Sequence, residues 1–211
     1  MTVTPAPIRI LIVDDHELVR EGLAELLGRH PRISVVGKAA SGPEAVDLYP
    51  RIRPDVTLVD LRMTPMDGIE TIHALLSLDT KARIILLTTY DTDEDIYRGL
   101  KAGAASYLLK NVGLNELAQT IEAVHAGERR IPAAIAAKLA EHMAQPELTP
   151  RQLDTLRLLV AGLSNQEIAE RLYITEGTVK AHVKAILSKF GARDRAQAAA
   201  IALKRGLVRA E

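Results

Sequence analysis

The chain has no cysteine and no tryptophan, and a single phenylalanine, Phe190. Without cysteine there are no disulfides, no thiolate metal sites and no thiol nucleophile, and a reducing cytosol suits it. No apolar run approaches the roughly 18 residues that a membrane span requires. The opening MTVTPAPIRI lacks the charged-then-apolar build of a secretory leader. The expectation is a cytoplasmic chain with no membrane partner. Aromatics make up 3% of residues. The second half therefore offers no stacking platform for single-stranded RNA. Neither sign of charge dominates, with 27 basic against 27 acidic residues. The balance hides a division: residues 148–211 carry 11 Lys and Arg against 6 Asp and Glu, and the remainder carries 16 against 21. An acidic part joined to a basic part suggests a cation site in one and a polyanion partner for the other.

What is present begins with alternation. Strand-like runs fall at 8–13, 33–38, 56–60, 83–88 and 105–109. Helix-like periodicity falls at about 16–29, 42–53, 67–77, 92–102 and 114–126. In the first helix Leu18, Val19, Leu23, Leu26 and Leu27 recur at helical spacing. Nearly continuous Val, Ile and Leu in the strands implies burial on both faces, hence a parallel sheet between helices. The fold expected is α/β, doubly wound and flavodoxin-like, with five parallel strands. Pro50 is expected to end or kink the second helix early, because proline cannot donate to the i−4 carbonyl. Residues 127–147 read as a linker, punctuated by Gly127, Pro132 and Pro146, with an Ala-rich helix over 133–144.

Four of the strand runs lead into polar residues. Asp14 and Asp15 follow the first, Asp60 the third, Thr88 the fourth and Lys110 the fifth. In an open parallel sheet, functional groups gather at the carboxyl ends of strands. Three carboxylates, a hydroxyl and an ammonium in one crevice suit a divalent cation and a phosphoryl group. Any one of these residues alone would be ordinary turn chemistry. Five at successive strand ends form a pattern.

From 148 onward the pattern is helical. Thr149 is an N-cap with Pro150 at the first helical position. Gly162 ends that helix. NQEIAERL, a tight turn at YIT and the run EGTVKAHVKAILSKF then read as a helix-turn-helix from about Leu163 to His182. Val179, Val183, Ile186 and Leu187 form its buried stripe. Lys180 and Lys184 share a face at i, i+4, and Lys189 follows. Such a helix fits the major groove of double-stranded DNA. Lys180 and Lys184 can reach guanine or phosphate, Thr178 suits a phosphate, Ala181 offers only apolar contact, and Lys189 is expected to face the DNA with them. His182 has no ligand partner at metal spacing and reads as a packing or phosphate-facing residue. The last helix presents a small-residue face: Ala196, Ala199, Ala200 and Leu203.

Residues 8–126 resemble the receiver domain of two-component response regulators. The matching pieces are the acidic pair of LIVDDHELVR, the Asp of LVDLRMTPMDG, the Thr of ILLTTYD and the Lys of KAGAASYLLK. Residues 148–211 resemble the LuxR-type helix-turn-helix domain, an all-α unit of four helices, most specifically in LSNQEIAERL, TEGTVKAHVKAIL and KFGARDRAQA. Together they are similar to the NarL/FixJ class. That resemblance implies phosphorylation of Asp60 by a sensor histidine kinase. It implies Mg²⁺ held by Asp15, Asp60 and the Arg62 carbonyl, with Asp14 acting through water. Thr88 and Lys110 would contact the phosphoryl oxygens. Tyr107 would be a switch aromatic that moves inward, and is otherwise a half-buried residue on the last strand. The final helix would form the active homodimer, which reads twofold-related DNA half-sites.

Three positions depart from the receiver pattern: Thr64 precedes Pro65 where proline is usual, Asn111 follows the lysine, and Pro50 interrupts a helix. Gln152 stands where the LuxR-type helix usually has Glu, so a capping or packing contact there is altered. One rival reading is an aspartyl-phosphate phosphatase or phosphotransferase. It requires an acid two residues after the nucleophile, and Arg62 occupies that position. A constitutive DNA-binding protein is the other rival, and the intact acidic set speaks against it. Beyond catalysing its own phosphoryl transfer and dephosphorylation, no enzymatic role is expected.

Overall fold

A computed structural model describes residues 6–89, 92–143 and 147–208. Pro146 and the end of the expected linker helix at Ala144 lie outside these. The chain forms two compact units. One is built from residues 6–89 and 96–136, the other from 92–95, 137–143 and 147–208.

The chain begins with β1 (Ile8–Val13), α1 (Glu17–Gly28), β2 (Ile33–Ala39), α2 (Gly42–Ile52), β3 (Val56–Asp60), α3 (Gly68–Leu78), β4 (Ile84–Thr88), α4 (Asp93–Lys101), β5 (Ser106–Leu109) and α5 (Leu114–His125). All strand pairs are parallel, in the order β2-β1-β3-β4-β5. This is the doubly wound arrangement expected. The order reverses between β1 and β3, and a crevice opens at such a reversal beyond the strands' carboxyl ends. Every residue of β3 and β4 is buried. That accounts for their lack of polar alternation.

Burial along α1 is one-sided, and α2 runs past its proline. In α1, Leu27 is fully buried and Leu23 packs on the core, but Leu18 is 87% exposed and Leu26 is 46% exposed. The apolar residues of α1 span more than one face, and only the side toward the sheet is covered. Pro50 does not end α2, which continues to Ile52 before Arg53 closes it in a left-handed conformation. The proline lies in the last turn, where only one ladder bond is lost. Beside it, the Tyr49 hydroxyl donates to Asp79 Oδ2 at 3.2 Å, tying α2 to the end of α3. Burial and the Asp79 carboxylate push the tyrosine up to about 12.

After α5 the chain stays attached to the sheet. The Ser106 hydroxyl donates to the Arg130 carbonyl, and Arg129 Nη2 donates to the Ala104 carbonyl at 3.3 Å. Helix α6 (Ala133–Met143) follows, as the alanine-rich stretch suggests.

The second unit contains α7 (Pro150–Val160), α8 (Asn165–Leu172), α9 (Glu176–Phe190) and α10 (Arg195–Arg205). Leu156, Leu159, Ile168, Val179, Ile186, Phe190, Ala198 and Ala202 form its buried core. Capping boxes start α7 and α8: Thr149 with Gln152, and Ser164 with Glu167. Gln152 thus supports the cap that its substitution for Glu was expected to alter. Arg195 of α10 donates to the Leu159 and Leu163 carbonyls, satisfying the end of α7.

One close approach fixes the crevice. Gly68 opens α3 directly over β3, and its N–H donates to the Leu61 carbonyl at 2.9 Å. A Cβ there would sit 2.4 Å from the Asp60 carbonyl oxygen and 2.7 Å from Leu61 Cα. These are backbone atoms and cannot move alone. Gly68→Ala is therefore expected to destabilise the first unit by about 1–3 kcal/mol, read as a lower urea midpoint with unchanged slope.

Candidate functional site

Asp14 follows β1, Asp60 closes β3, Thr88 closes β4 and Lys110 follows β5. The parallel sheet brings all four to one edge. Asp14 and Asp60 are 2% and 4% exposed, and Thr88 is fully buried. Lys110 Nζ lies 2.8 Å from Asp14 Oδ2 and 2.9 Å from Asp60 Oδ2. The Lys110 amide donates to the Thr88 carbonyl at 2.7 Å, so the base of the lysine is fixed to β4.

Burial raises the Asp60 carboxyl above its ordinary value. Lys110 pulls it back, Asp14 adds to the rise, and the Arg62 amide lowers it again. Burial alone would lower the Lys110 ammonium. Its hydrogen bonds to Asp14 and Asp60, with their charges, outweigh that and raise it. The result is a buried cation shared by two carboxylates, an arrangement suited to handing the cation to a third anion.

Asp15 is less buried and points toward the same edge. The ligand atoms of Asp14, Asp15, His16 and Asp60 all lie within 4.8 Å of one another. This donor set can hold a metal ion. His16 was not singled out from the sequence, although it directly follows the acidic pair. Its Nδ1 lies 2.9 Å from Asp15 Oδ1, and its amide donates to Asp14 Oδ1 at 2.9 Å.

Tyr107 is fully buried rather than half-buried. It is paired with Leu86 across β4 and β5, and Gly99 of α4 approaches its ring. A side chain on the sheet face beneath a helix has no open flank. Asn111 is exposed, and the Thr64–Pro65 peptide is cis.

In the second unit, Thr175 caps α9, and its hydroxyl lies 2.8 Å from that of Thr178. Lys180, Ala181 and Lys184 are exposed on one side, with Lys180 paired to Glu176 at 2.9 Å. Lys189 does not join them. Its Nζ donates to the Glu147 carbonyl at 2.6 Å and to Gln152 Oε1 at 2.8 Å. Nine residues at about 100° each place it half a turn around from Lys180. Lys189 thus braces the start of α7 and, contrary to expectation, does not share the exposed face of Lys180 and Lys184. On α10, Ala196, Ala200 and Leu203 are exposed and Ala199 is partly so.

A family model for the response regulator receiver domain matches residues 10–122. A second, for bacterial regulatory proteins of the luxR family, matches residues 146–202. The transcriptional regulatory protein LiaR of Bacillus subtilis (strain 168) is 42% identical over 209 residues, which cover 95% of this chain and 99% of that protein. The nitrate/nitrite response regulator protein NarL of Escherichia coli (strain K12) is 39% identical over 202 residues, covering 92% and 94%. Among solved structures, the response regulator ChrA of a heme-sensing two-component system aligns with a TM-score of 0.59 at 34% identity, over 96% of this chain and 100% of that one. An RcsB–DNA complex aligns at 0.72 over 94% and 98%, and its 23% identity speaks for the fold alone. This chain belongs to the two-component response regulators that join a receiver domain to a luxR-type DNA-binding domain.

Two measurements follow from this geometry. Lys110→Met leaves two buried carboxylates without their cation, and in metal-free buffer at pH 8 it is expected to lose about 3 kcal/mol. A folded Asp60 above its ordinary value binds protons the unfolded chain does not. Its contribution to stability therefore falls as pH rises through the interval between the two values. Removing Lys110 widens that interval upward, so the loss should shrink as pH is lowered toward 5. In urea unfolding, a loss independent of pH would contradict this account. For the output domain, Lys180→Ala and Lys184→Ala are each expected to reduce the salt dependence of DNA affinity by about one counterion. Lys189→Ala should lower thermal stability and leave that slope unchanged.

Proposed function

We propose that Asp60 accepts a phosphoryl group from a sensor histidine kinase, and that its phosphorylation controls dimerisation and DNA binding. The observation that carries this reading is the Lys110 ammonium shared between Asp14 and Asp60 at 2.8 and 2.9 Å. An Asp60 oxygen attacks phosphorus, the N–P bond of the kinase phosphohistidine breaks, and its electron pair returns to the imidazole. Lys110 moves toward one new phosphoryl oxygen and the Thr88 hydroxyl donates to another. Asp15, Asp60 and the Arg62 carbonyl would hold Mg²⁺, with Asp14 acting through water. Bound there, the ion neutralises charge that would otherwise repel the incoming group. The same residues admit water for dephosphorylation, and no separate substrate is processed.

The phosphoryl group adds about two negative charges. Tyr107 and Thr88 read that change, and the face of α4 and β5 repacks. Tyr107 is inward here, the position this reading assigns to the phosphorylated form. The receiver spans 8–126, the linker 127–147 and the DNA-binding domain 148–211. The α10 face of Ala196, Ala199, Ala200 and Leu203 pairs two output domains, so that two α9 helices read twofold-related half-sites of duplex DNA through Thr178, Lys180, Ala181 and Lys184. The protein works in the cytoplasm.

Sedimentation velocity with Mg²⁺ and beryllofluoride, a mimic of the phosphoryl group, tests the reading. The wild type is expected to shift from monomer to dimer and Asp60→Asn to remain monomeric. A wild type that fails to bind beryllofluoride would remove Asp60 as the acceptor.

A further inference from the structure

We infer that His16 is an additional ligand of the acidic site and tilts its preference from Mg²⁺ toward first-row transition ions such as Mn²⁺. This rests on the reading of Asp14, Asp15 and Asp60 as a cation site. A six-coordinate ion with bonds of about 2.1 Å spaces neighbouring donors about 3 Å apart and opposite donors about 4.2 Å apart. His16 Nδ1 lies 2.9 Å from Asp15 Oδ1 and 3.5 Å from Asp14 Oδ1. The first separation is that of neighbouring donors on one ion, and the second leaves Asp14 the place of a carboxylate acting through water. The four ligand atoms, Asp60 included, lie within 4.8 Å of one another, slightly more than the spacing of opposite donors, so the set draws in a little on an ion. The main chain supports the placement, because the His16 amide donates to Asp14 Oδ1 and so holds the ring's root beside a carboxylate.

Apart from its contacts with Asp14 and Asp15, the imidazole has no structural task among the described residues. His16 is the N-cap of α1, yet its side chain makes no cap hydrogen bond. It is 68% exposed and so adds little packing. Replacing it should leave the fold intact. Mg²⁺ gains little from a nitrogen donor and keeps water in its place, whereas first-row transition ions accept imidazole readily. The ring therefore discriminates between ions more than it adds to affinity for all of them.

The test uses the full-length wild type, His16→Gln and Asp15→Asn at fixed pH. Mn²⁺ is titrated by the electron paramagnetic resonance of the free ion, and Mg²⁺ by competition. His16→Gln is expected to weaken Mn²⁺ about tenfold and Mg²⁺ less than about twofold. Pulsed resonance of bound Mn²⁺ should show imidazole nitrogen modulation in the wild type and none in His16→Gln. Equal weakening of both ions, or no nitrogen modulation in the wild type, overturns the ligand role while leaving the acidic site standing. Mn²⁺ binding unchanged in Asp15→Asn would place the ion elsewhere, and the cation-site reading and this inference would fall together.

Discussion

The receiver depends on one ammonium placed between two buried carboxylates. Asp14 and Asp60 repel each other at the reversal point of the sheet, and Lys110 offsets both. Removing charges from water costs more than a pair of this kind returns in stability. The arrangement is better understood as a held imbalance. Burial pushes Asp60 toward neutrality and Lys110 pulls it back, so the site responds to any third charge that enters. The surrounding elements serve this placement. Gly68 lets α3 lie on the Asp60 backbone, and the Lys110 amide is anchored on Thr88.

The output unit is built on the opposite principle. Its core is apolar, its helices start at side-chain caps, and most of its charges face water. Lys189 and Arg195 spend their charge inside the unit, on Gln152 and on carbonyls at the ends of α7. Those contacts leave Lys180, Ala181 and Lys184 as the outward face of α9.

The sequence made much of this legible. Strand runs and helical periodicity located the receiver elements to within a residue or two, because parallel strands buried on both faces carry an unmistakable apolar signature. The five polar residues at strand ends were legible for the same reason. Burial within a helix was harder to read. Leu18 and Leu26 share the hydrophobicity of Leu27 but not its face, and only the packed sheet reveals which side is covered. Lys189 looked like its neighbours Lys180 and Lys184, because composition does not record that Gln152 lies within its reach. Tyr107 proved fully buried for a related reason: the approach of Gly99 is a tertiary fact. His16 was visible beside the acidic pair, but only the geometry gives its ring a distance to Asp15.

The strand order carries a mechanical consequence. Asp60 lies on β3, which is laddered to a neighbour on each side, and Asp14 follows β1, which is likewise flanked. Lys110 follows β5, an edge strand joined to the sheet by β4 alone. Displacing a strand laddered on one side breaks fewer backbone bonds than displacing one laddered on both. The two carboxylates thus sit on the stiff middle of the sheet and their shared cation on one of its two singly laddered margins. The same margin carries Tyr107 and, through Ser106, grips the departing chain at Arg130. Strain generated at the charged centre therefore has an outlet along a singly laddered strand, the one from which the polypeptide leaves the receiver.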